Sequence, residues 1–173
     1  MKTIALVLGA SLAAATAAQA QAVVNHAIAV LIPGKDSKVA GTVHFKKEAG
    51  GVHVTGTFTG LAAGSHGFHI HELGDCSAAD FTSAGGHFNP AGNPHAGPKD
   101  AKRHEGDMGN IEAKADGSGT VDYVDPELGF EGAQSIVGRG VVVHANADDF
   151  KTQPTGNAGG RVACGAIGVA KSE

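Results

Sequence analysis

The sequence predicts an all-β domain of about eight short antiparallel strands, arranged as a sandwich or a barrel. Apolar and polar residues alternate along "GTVHFKK" (41–47) and "GVHVTGTFTG" (51–60), which is the period of a half-buried strand. The turn signals "EAGG" (48–51) and "ADGSG" (115–119) separate such segments, and no window carries a convincing amphipathic-helix pattern. Short strands joined by Gly-rich turns therefore favour an antiparallel architecture.

Each strand is predicted from its own pattern. In the segment from 51 to 60, Val52, Val54 and Phe58 share one face and polar residues share the other. Two further segments flank the "ADGSG" turn, and an apolar run leads to His144. In chain order, the predicted strands span 23–31, 41–47, 51–60, 66–71, 110–116, 118–124, 137–145 and 161–169.

Two segments lack any strand or helix pattern. The longer runs from about Glu72 to Gly109 and is rich in Gly, Pro, Asp and His, and the shorter runs from Asp148 to Gly160. An irregular loop of the longer length is uncommon in a compact domain unless it is functional. Because backbone ladders do not hold such a loop, the binding energy of a metal ion is one way to order it.

The short motif "GFHIHE" (67–72) is the first sign of such an ion. His69 and His71 are two residues apart in a strand, so their imidazoles share one face and Ile70 points the other way. Buried imidazoles need partners, and a metal ion is a common shared partner of histidines. The alternative is an exposed strand face that merely carries two histidines.

Further ligand-type residues form two groups. His144, at the end of its apolar run, joins His69 and His71 in a group on strands. The long loop adds three imidazoles and a carboxylate, which make a complete tetrahedral zinc set. These loop residues are His87, His95, His104 and Asp107. Three other histidines lie opposite the apolar positions of their strands and are interpreted as solvent-facing, namely His26, His44 and His53.

Residues 1–20 are predicted to be a secretory signal peptide, because one lysine precedes a short apolar stretch and a small-x-small site ends at Ala20. Cleavage after Ala20, or alternatively after Ala22, leaves a single domain at 21–173. The competing interpretation is a buried N-terminal helix. The chain has no N-x-S/T sequon, which fits a bacterial periplasm better than a eukaryotic secretory route, and no membrane segment is expected after cleavage.

Composition argues against a nucleic-acid partner. Removal of Lys2 with the signal peptide leaves 12 basic and 17 acidic residues, a net charge of −5, without a basic run. The chain has no Trp and one Tyr on which a base could stack. Cys76 and Cys164 suggest a disulfide in an exported chain, with two free thiols as the alternative.

Five motifs together resemble the copper/zinc superoxide dismutase family, in particular its exported bacterial members, over essentially the whole mature chain. In family order they are "GFHIHELGDC", "GGHFNP", "GPKDAKRHEGDMGN", "VVVHANADD" and "TGNAGGRVACGAIG". The resemblance implies an eight-stranded Greek-key β-barrel with long metal-binding loops. It also implies an enzyme that converts two superoxide anions to dioxygen and hydrogen peroxide, with redox-active copper (Cu²⁺/Cu⁺) and structural zinc (Zn²⁺) as cofactors.

The resemblance also implies residue roles. His87 matches the histidine that bridges both metals and offers a proton route, and Arg161 matches the arginine that attracts and docks superoxide. The matches to copper ligands are His69, His71, His87 and His144, and the matches to zinc ligands are His87, His95, His104 and Asp107.

Four other matches concern support of the site. Asp148 matches a carboxylate that hydrogen-bonds ligands of both metals, and His66 matches a structural histidine. Cys76 and Cys164 match the intrachain disulfide that ties the long loop to the last strand.

Two loops depart from the eukaryotic pattern of the family. The segment between His144 and Arg161 is shorter, so steering charges other than Arg161 are not carried over. In that segment, Thr155 matches a residue that lines the substrate channel. Lys151 is a further candidate for attracting the anionic substrate. Cys76 lies nearer the H-x-H motif, which resembles the exported bacterial members.

Two alternatives to the enzyme stand. A metal buffer or chaperone of the same fold would bind copper and zinc without turnover, and an adhesive β-domain would use zinc alone. The presence of every copper-ligand match together with Arg161 favours the enzyme. The sequence does not determine the oligomeric state, so a monomer and a homodimer are both open hypotheses.

Overall fold

The computed structural model describes residues 23–171, in which eight strands close into one antiparallel barrel. The predicted signal peptide lies outside the described residues. Two 3₁₀ turns interrupt the loops, at Thr82–Ala84 and Gly132–Gln134. The strands are β1 (His26–Pro33), β2 (Ala40–Glu48), β3 (Gly51–Thr59), β4 (Gly64–His71), β5 (Asp107–Ala113), β6 (Gly119–Asp125), β7 (Gly140–His144) and β8 (Arg161–Val169).

The strand order around the barrel is β1-β2-β3-β6-β5-β4-β7-β8, and β8 pairs with β1 to close it. The chain therefore crosses between non-adjacent strands twice, from β3 to β4 and from β6 to β7, as Greek-key topologies do. The predicted all-β, eight-stranded fold is confirmed. No helix within residues 23–171 is long and apolar enough to cross a membrane.

The alternation predicted on β2 and β3 is observed. Val43, Phe45, Val54 and Phe58 are buried in the barrel core, and most of the intervening residues are half-buried or exposed. Full burial of each such side chain contributes about 1.5–3 kcal/mol relative to leaving it in water. The period of two therefore specifies which face of each strand lines the core.

β4 is buried on both faces. Phe68 and Ile70 point into the barrel core, as the alternation requires. His69 and His71 lie on the outer face, yet both are fully buried. The loops that join β4 to β5 and β7 to β8 supply the contacts that cover them.

β5 begins at Asp107, earlier than the predicted start at 110, so the long irregular segment ends sooner than expected. A bulge between Gly67 and His69 shifts the β4–β5 register and aligns Asp107 opposite His69. The sequence pattern did not reveal the strand start because Gly109 interrupts the first residues of β5. Its φ of +88° is a conformation that glycine adopts readily. The ends of β1 and β7 also differ from the prediction by a few residues, a usual uncertainty at element ends.

A disulfide joins Cys76 in the long loop to Cys164 on β8. It lies in a small apolar cluster, separate from the barrel core, with Phe81, Ala84 and Val142. The bond therefore fastens the first part of the long loop to the outer face of β7 and β8.

Reduction of this disulfide is expected to loosen the long loop, lower the melting temperature and speed metal loss. The two cysteines are 88 residues apart, and a loop of that size corresponds to about 4–5 kcal/mol in the chain-entropy model. The measurement is metal content and melting temperature after a mild reductant, with thiol titration to show that the bond has opened. Unchanged values in the reduced protein would contradict the prediction.

Candidate metal centre

His69, His71, His87 and His144 converge on one buried point, and their ligand nitrogens lie within 4.8 Å of one another. β4 supplies the first two and β7 ends on His144, while His87 in the long loop forms an isolated β-bridge with His71. Nε2 of His71 lies 3.4 Å from Nε2 of His144. The structure thus brings together the four residues that match copper ligands.

A second buried group surrounds one carboxylate oxygen of Asp107. Its Oδ1 lies 2.8 Å from Nδ1 of His87, 2.9 Å from Nδ1 of His95 and 3.2 Å from Nδ1 of His104. Zinc–nitrogen bonds of about 2.0–2.1 Å place tetrahedral ligands about 3.3 Å apart. The four atoms therefore have the chemistry and nearly the separations of a zinc site.

His87 belongs to both groups. Its Nδ1 faces Asp107, while its Nε2 is buried without a hydrogen-bond partner among residues 23–171, and the same holds for Nδ1 of His69. An unsatisfied buried polar group costs roughly 1–3 kcal/mol. Two such nitrogens at the centre of a four-histidine group fit metal ligation and fit no role in the hydrogen-bonding of the fold.

The other ring nitrogens of two copper-type ligands contact backbone carbonyls. Nδ1 of His71 donates to the carbonyl of Gly85 at 2.9 Å, and Nδ1 of His144 donates to the carbonyl of Gly159 at 3.1 Å. Each bond fixes the tautomer in which Nε2 is free to bind a metal. The long loop orients one ligand and the β7–β8 loop orients the other.

Asp148 connects the two groups. Its Oδ2 accepts from Nε2 of His69 at 2.8 Å, and its Oδ1 accepts from Nε2 of His95 at 2.9 Å. The side chain of Asn110 on β5 holds Asp148 in place, with Oδ1 accepting from its N–H at 2.8 Å and Nδ2 donating to its carbonyl at 3.0 Å. This is the position that the family resemblance implies for Asp148.

Burial makes most of the site's histidines weak bases. It lowers the pKa of His69 to about 4 and that of His144 to about 3, and it holds the pKa of His71 well below its usual value. These imidazoles are therefore neutral at pH 7, which is the form that binds metals. His95 differs, because burial is outweighed by the two carboxylates beside it, which raise its pKa to about 9. Metal binding at His95 must displace a proton.

Arg161 is the first residue of β8 and is half-buried beside the copper-type group. Its guanidinium donates to the carbonyl of Phe81 and, at 2.6 Å, to that of Gly85. The Gly85 carbonyl also accepts from His71, so one backbone oxygen links the cation to a copper-type ligand. Arg161 lines a surface cleft of about 690 Å³. The other charged residues that line this cleft are Lys35, Asp36 and Asp80.

The remaining predicted residues lie away from the two groups or support them. Both ring nitrogens of His66 contact backbone carbonyls at 2.9 Å, which is a structural role. Thr155 is half-buried and Lys151 is exposed in the β7–β8 loop, and neither is among the described residues lining the Arg161 cleft. The histidines interpreted as solvent-facing, His26, His44 and His53, are partly exposed on the outer faces of their strands.

Sequence reasoning missed the residues that support the loops. Arg103 is buried and forms a bidentate ion pair with Asp125 at 2.7 and 2.8 Å, and it also donates to the carbonyls of His104 and Glu105 at 2.9 and 3.1 Å. It therefore anchors the backbone next to a zinc-type ligand. A buried arginine inside a charged loop motif resembles a surface arginine in sequence, and its acidic partner is on a distant strand.

Comparisons with known proteins were consistent with this geometry. The family model described as copper/zinc superoxide dismutase matches residues 39–167. A crystal structure described as that of the clock protein EA4 is 41% identical in sequence, with a TM-score of 0.82, and the match covers 89% of this chain and 100% of that chain. Since the family match spans most of the chain and both ligand groups, the protein belongs to the copper/zinc superoxide dismutase family.

Proposed function

We propose that this protein is a superoxide dismutase, which converts two superoxide anions and two protons to dioxygen and hydrogen peroxide. The observation that carries the proposal is that two buried ligand groups share His87 beside a half-buried arginine. A structural zinc site would need neither the second group nor the nearby cation.

The two groups have different tasks in this proposal. The all-histidine group would hold copper, and the group that contains Asp107 would hold zinc. Bound copper supplies a one-electron couple between Cu²⁺ and Cu⁺, and imidazole suits it as a ligand. The chain keeps the ligands in place through the hydrogen bonds behind them, from Asp148, Gly85 and Gly159.

In this proposal, Arg161 binds the superoxide anion and His87 supplies a proton to it. A guanidinium is permanently charged and docks an anion through a planar fork of N–H donors, which a net-negative protein needs near its site. Nε2 of His87 has no protein partner in the described part of the chain. It would be a ligand of copper when the ion is bound to it, and it would hold a proton when that bond is open, since one lone pair serves only one of the two. The peroxide product requires two protons, and general acid catalysis from a positioned histidine supplies one of them.

Replacing Arg161 with alanine is expected to lower kcat/KM by roughly tenfold at low ionic strength, because a local cation raises the encounter rate of an anionic substrate. The measurement is the dismutation rate as a function of salt concentration, with the copper absorption spectrum recorded in parallel. Lys114→Ala, which removes an equal charge from the exposed β5–β6 turn, is the control. An unchanged rate in Arg161→Ala with an intact spectrum would remove Arg161 from the mechanism.

We also propose that the protein is exported to the periplasm. The predicted signal peptide and the disulfide support this, since disulfides persist in oxidising compartments. N-terminal sequencing of the protein from a periplasmic fraction tests export and identifies the cleavage site. Sedimentation equilibrium of the mature chain distinguishes the homodimer from the monomer, between which the sequence does not decide.

The experiment that tests the activity compares the mature chain, residues 21–173, loaded with copper and zinc against a zinc-only preparation. A copper-dependent rate approaching about 10⁸–10⁹ M⁻¹ s⁻¹, the diffusional range, is the expected result. Tight copper binding without turnover would reject the dismutase.

A metal-binding module without turnover is the second candidate. The two buried ligand groups support metal binding whether or not turnover occurs, and the 41% identical structure is described as a clock protein and not by an enzymatic activity. The same experiment separates the candidates, because both bind copper and zinc but only the dismutase consumes superoxide catalytically.

A further inference from the structure

Gln153 is an exposed residue of the β7–β8 loop that has no part in the proposed chemistry. Its side-chain amide nevertheless contacts the backbone of His95 twice. The N–H of His95 donates to Oε1 of Gln153 at 2.8 Å, and Nε2 of Gln153 donates to the carbonyl of His95 at 2.7 Å. A weaker contact joins the same Nε2 to the carbonyl of Lys151 at 3.3 Å. The amide therefore clamps one residue from both sides.

The clamp meets a need of this backbone. His95 lies in an irregular stretch of the long loop, and no backbone–backbone hydrogen bond involving it is found among residues 23–171. Buried backbone polar groups require partners, and Gln153 supplies both. The imidazole of His95 is held separately, by Asp107 at Nδ1 and Asp148 at Nε2. Thus one loop residue fixes the main chain while two carboxylates fix the ring.

We propose that Gln153 is a positioning residue for the zinc-type site, and that it makes the β7–β8 loop part of that site. Within residues 23–171, the shortened loop contacts the two ligand groups through Asp148, Gln153 and the carbonyl of Gly159. Because coupling between two binding events is reciprocal, an ion held by His95 orders this loop as much as the loop holds the ion. The proposal depends on the zinc site of the proposed function but not on dismutation.

The test uses the mature chain with zinc and measures the rate of zinc release to a chelator. Gln153→Glu replaces the Nε2 donor with an oxygen facing the His95 carbonyl, and Gln153→Ala removes both bonds without adding charge. Each variant is expected to release zinc roughly three- to tenfold faster, because the net contribution of the lost hydrogen bonds no longer holds the His95 backbone in place. Gln134→Glu, the same change at another exposed glutamine, is the matched control.

A spectroscopic measurement separates positioning from general loop stability. Cobalt(II) bound in place of zinc reports ligand geometry through its visible absorption, so a shifted cobalt spectrum is expected in Gln153→Glu and not in Gln134→Glu. Zinc release and cobalt spectra that match the wild type in both Gln153 variants would overturn the proposal. Failure of the wild-type chain to bind zinc would overturn it together with the proposed metal centre, whereas zinc binding without dismutation would affect only the proposed activity.

Discussion

Replacing His87 with alanine is expected to lower the copper-dependent dismutation rate on the order of 100-fold and to weaken zinc binding in the same protein. His87 is the residue common to both ligand groups, so its loss leaves each group one ligand short. Loss of a hydrogen-bond partner behind a ligand already costs about 10–100-fold in affinity or activity, and loss of the ligand itself should reach at least the upper end. The variant also lacks the Nε2 atom proposed to carry a proton.

The measurements are copper and zinc content by elemental analysis and the dismutation rate at saturating metal. His53→Ala is the matched control, because His53 is a partly exposed histidine whose partners are Glu48 and Asp122 on the outer face of the barrel. A His87→Ala protein with wild-type zinc affinity and rate would show that the two groups do not depend on a shared histidine.

Replacing Asp148 with alanine is expected to lower the affinity for copper and the affinity for zinc by about 10–100-fold each, although Asp148 belongs to neither ligand group. Its two oxygens orient His69 and His95, one from each ligand group, and its carboxylate is fully buried. Without the carboxylate, both Nε2 atoms lose the partner that selects their tautomer. Asp148→Asn keeps one acceptor oxygen and should therefore have an intermediate effect.

Chelator-driven release of each metal, followed separately, provides the measurement. Asp149→Ala is the control, because it removes the neighbouring exposed carboxylate, which bonds only within its own loop among the described residues. If Asp148→Ala released one metal faster and the other at the wild-type rate, the carboxylate would support a single group rather than both.

The strand pattern of the fold and the shared face of His69 and His71 could be predicted from the sequence for the same reason. Strand side chains alternate between faces, so the pattern around His69 and His71 requires a shared face whatever the rest of the chain does. The structure places both on the outer face of β4, opposite Phe68 and Ile70 in the core. The remaining ligands were identified through motifs rather than periodicity, since His87 and His95 lie in a loop without a repeating pattern.

The position of Asp107 on a strand and the contacts of Arg103 and Gln153 were not predicted from the sequence. Asp107 was predicted in the loop, and the structure places it at the start of β5, where a bulge aligns it with His69. Arg103 and Gln153 act through partners 22 and 58 residues away. Such contacts depend on how the loops pack on the barrel, and neither residue differs in sequence from an ordinary surface side chain.

The sequence by itself determined the strand period, the core faces and the identity of the chemistry-bearing side chains, because these follow from local geometry and from what each side chain can bind. The family resemblance implied that the two ligand groups share His87 and that Asp148 connects them, and the tertiary structure gives the distances of these contacts. Only the tertiary structure decided that the β7–β8 loop closes over His95 through Gln153. The physical reason is that these contacts join segments distant in the chain. Their distances are set by the closure of the barrel and by the burial of unpaired polar groups, which no local pattern encodes.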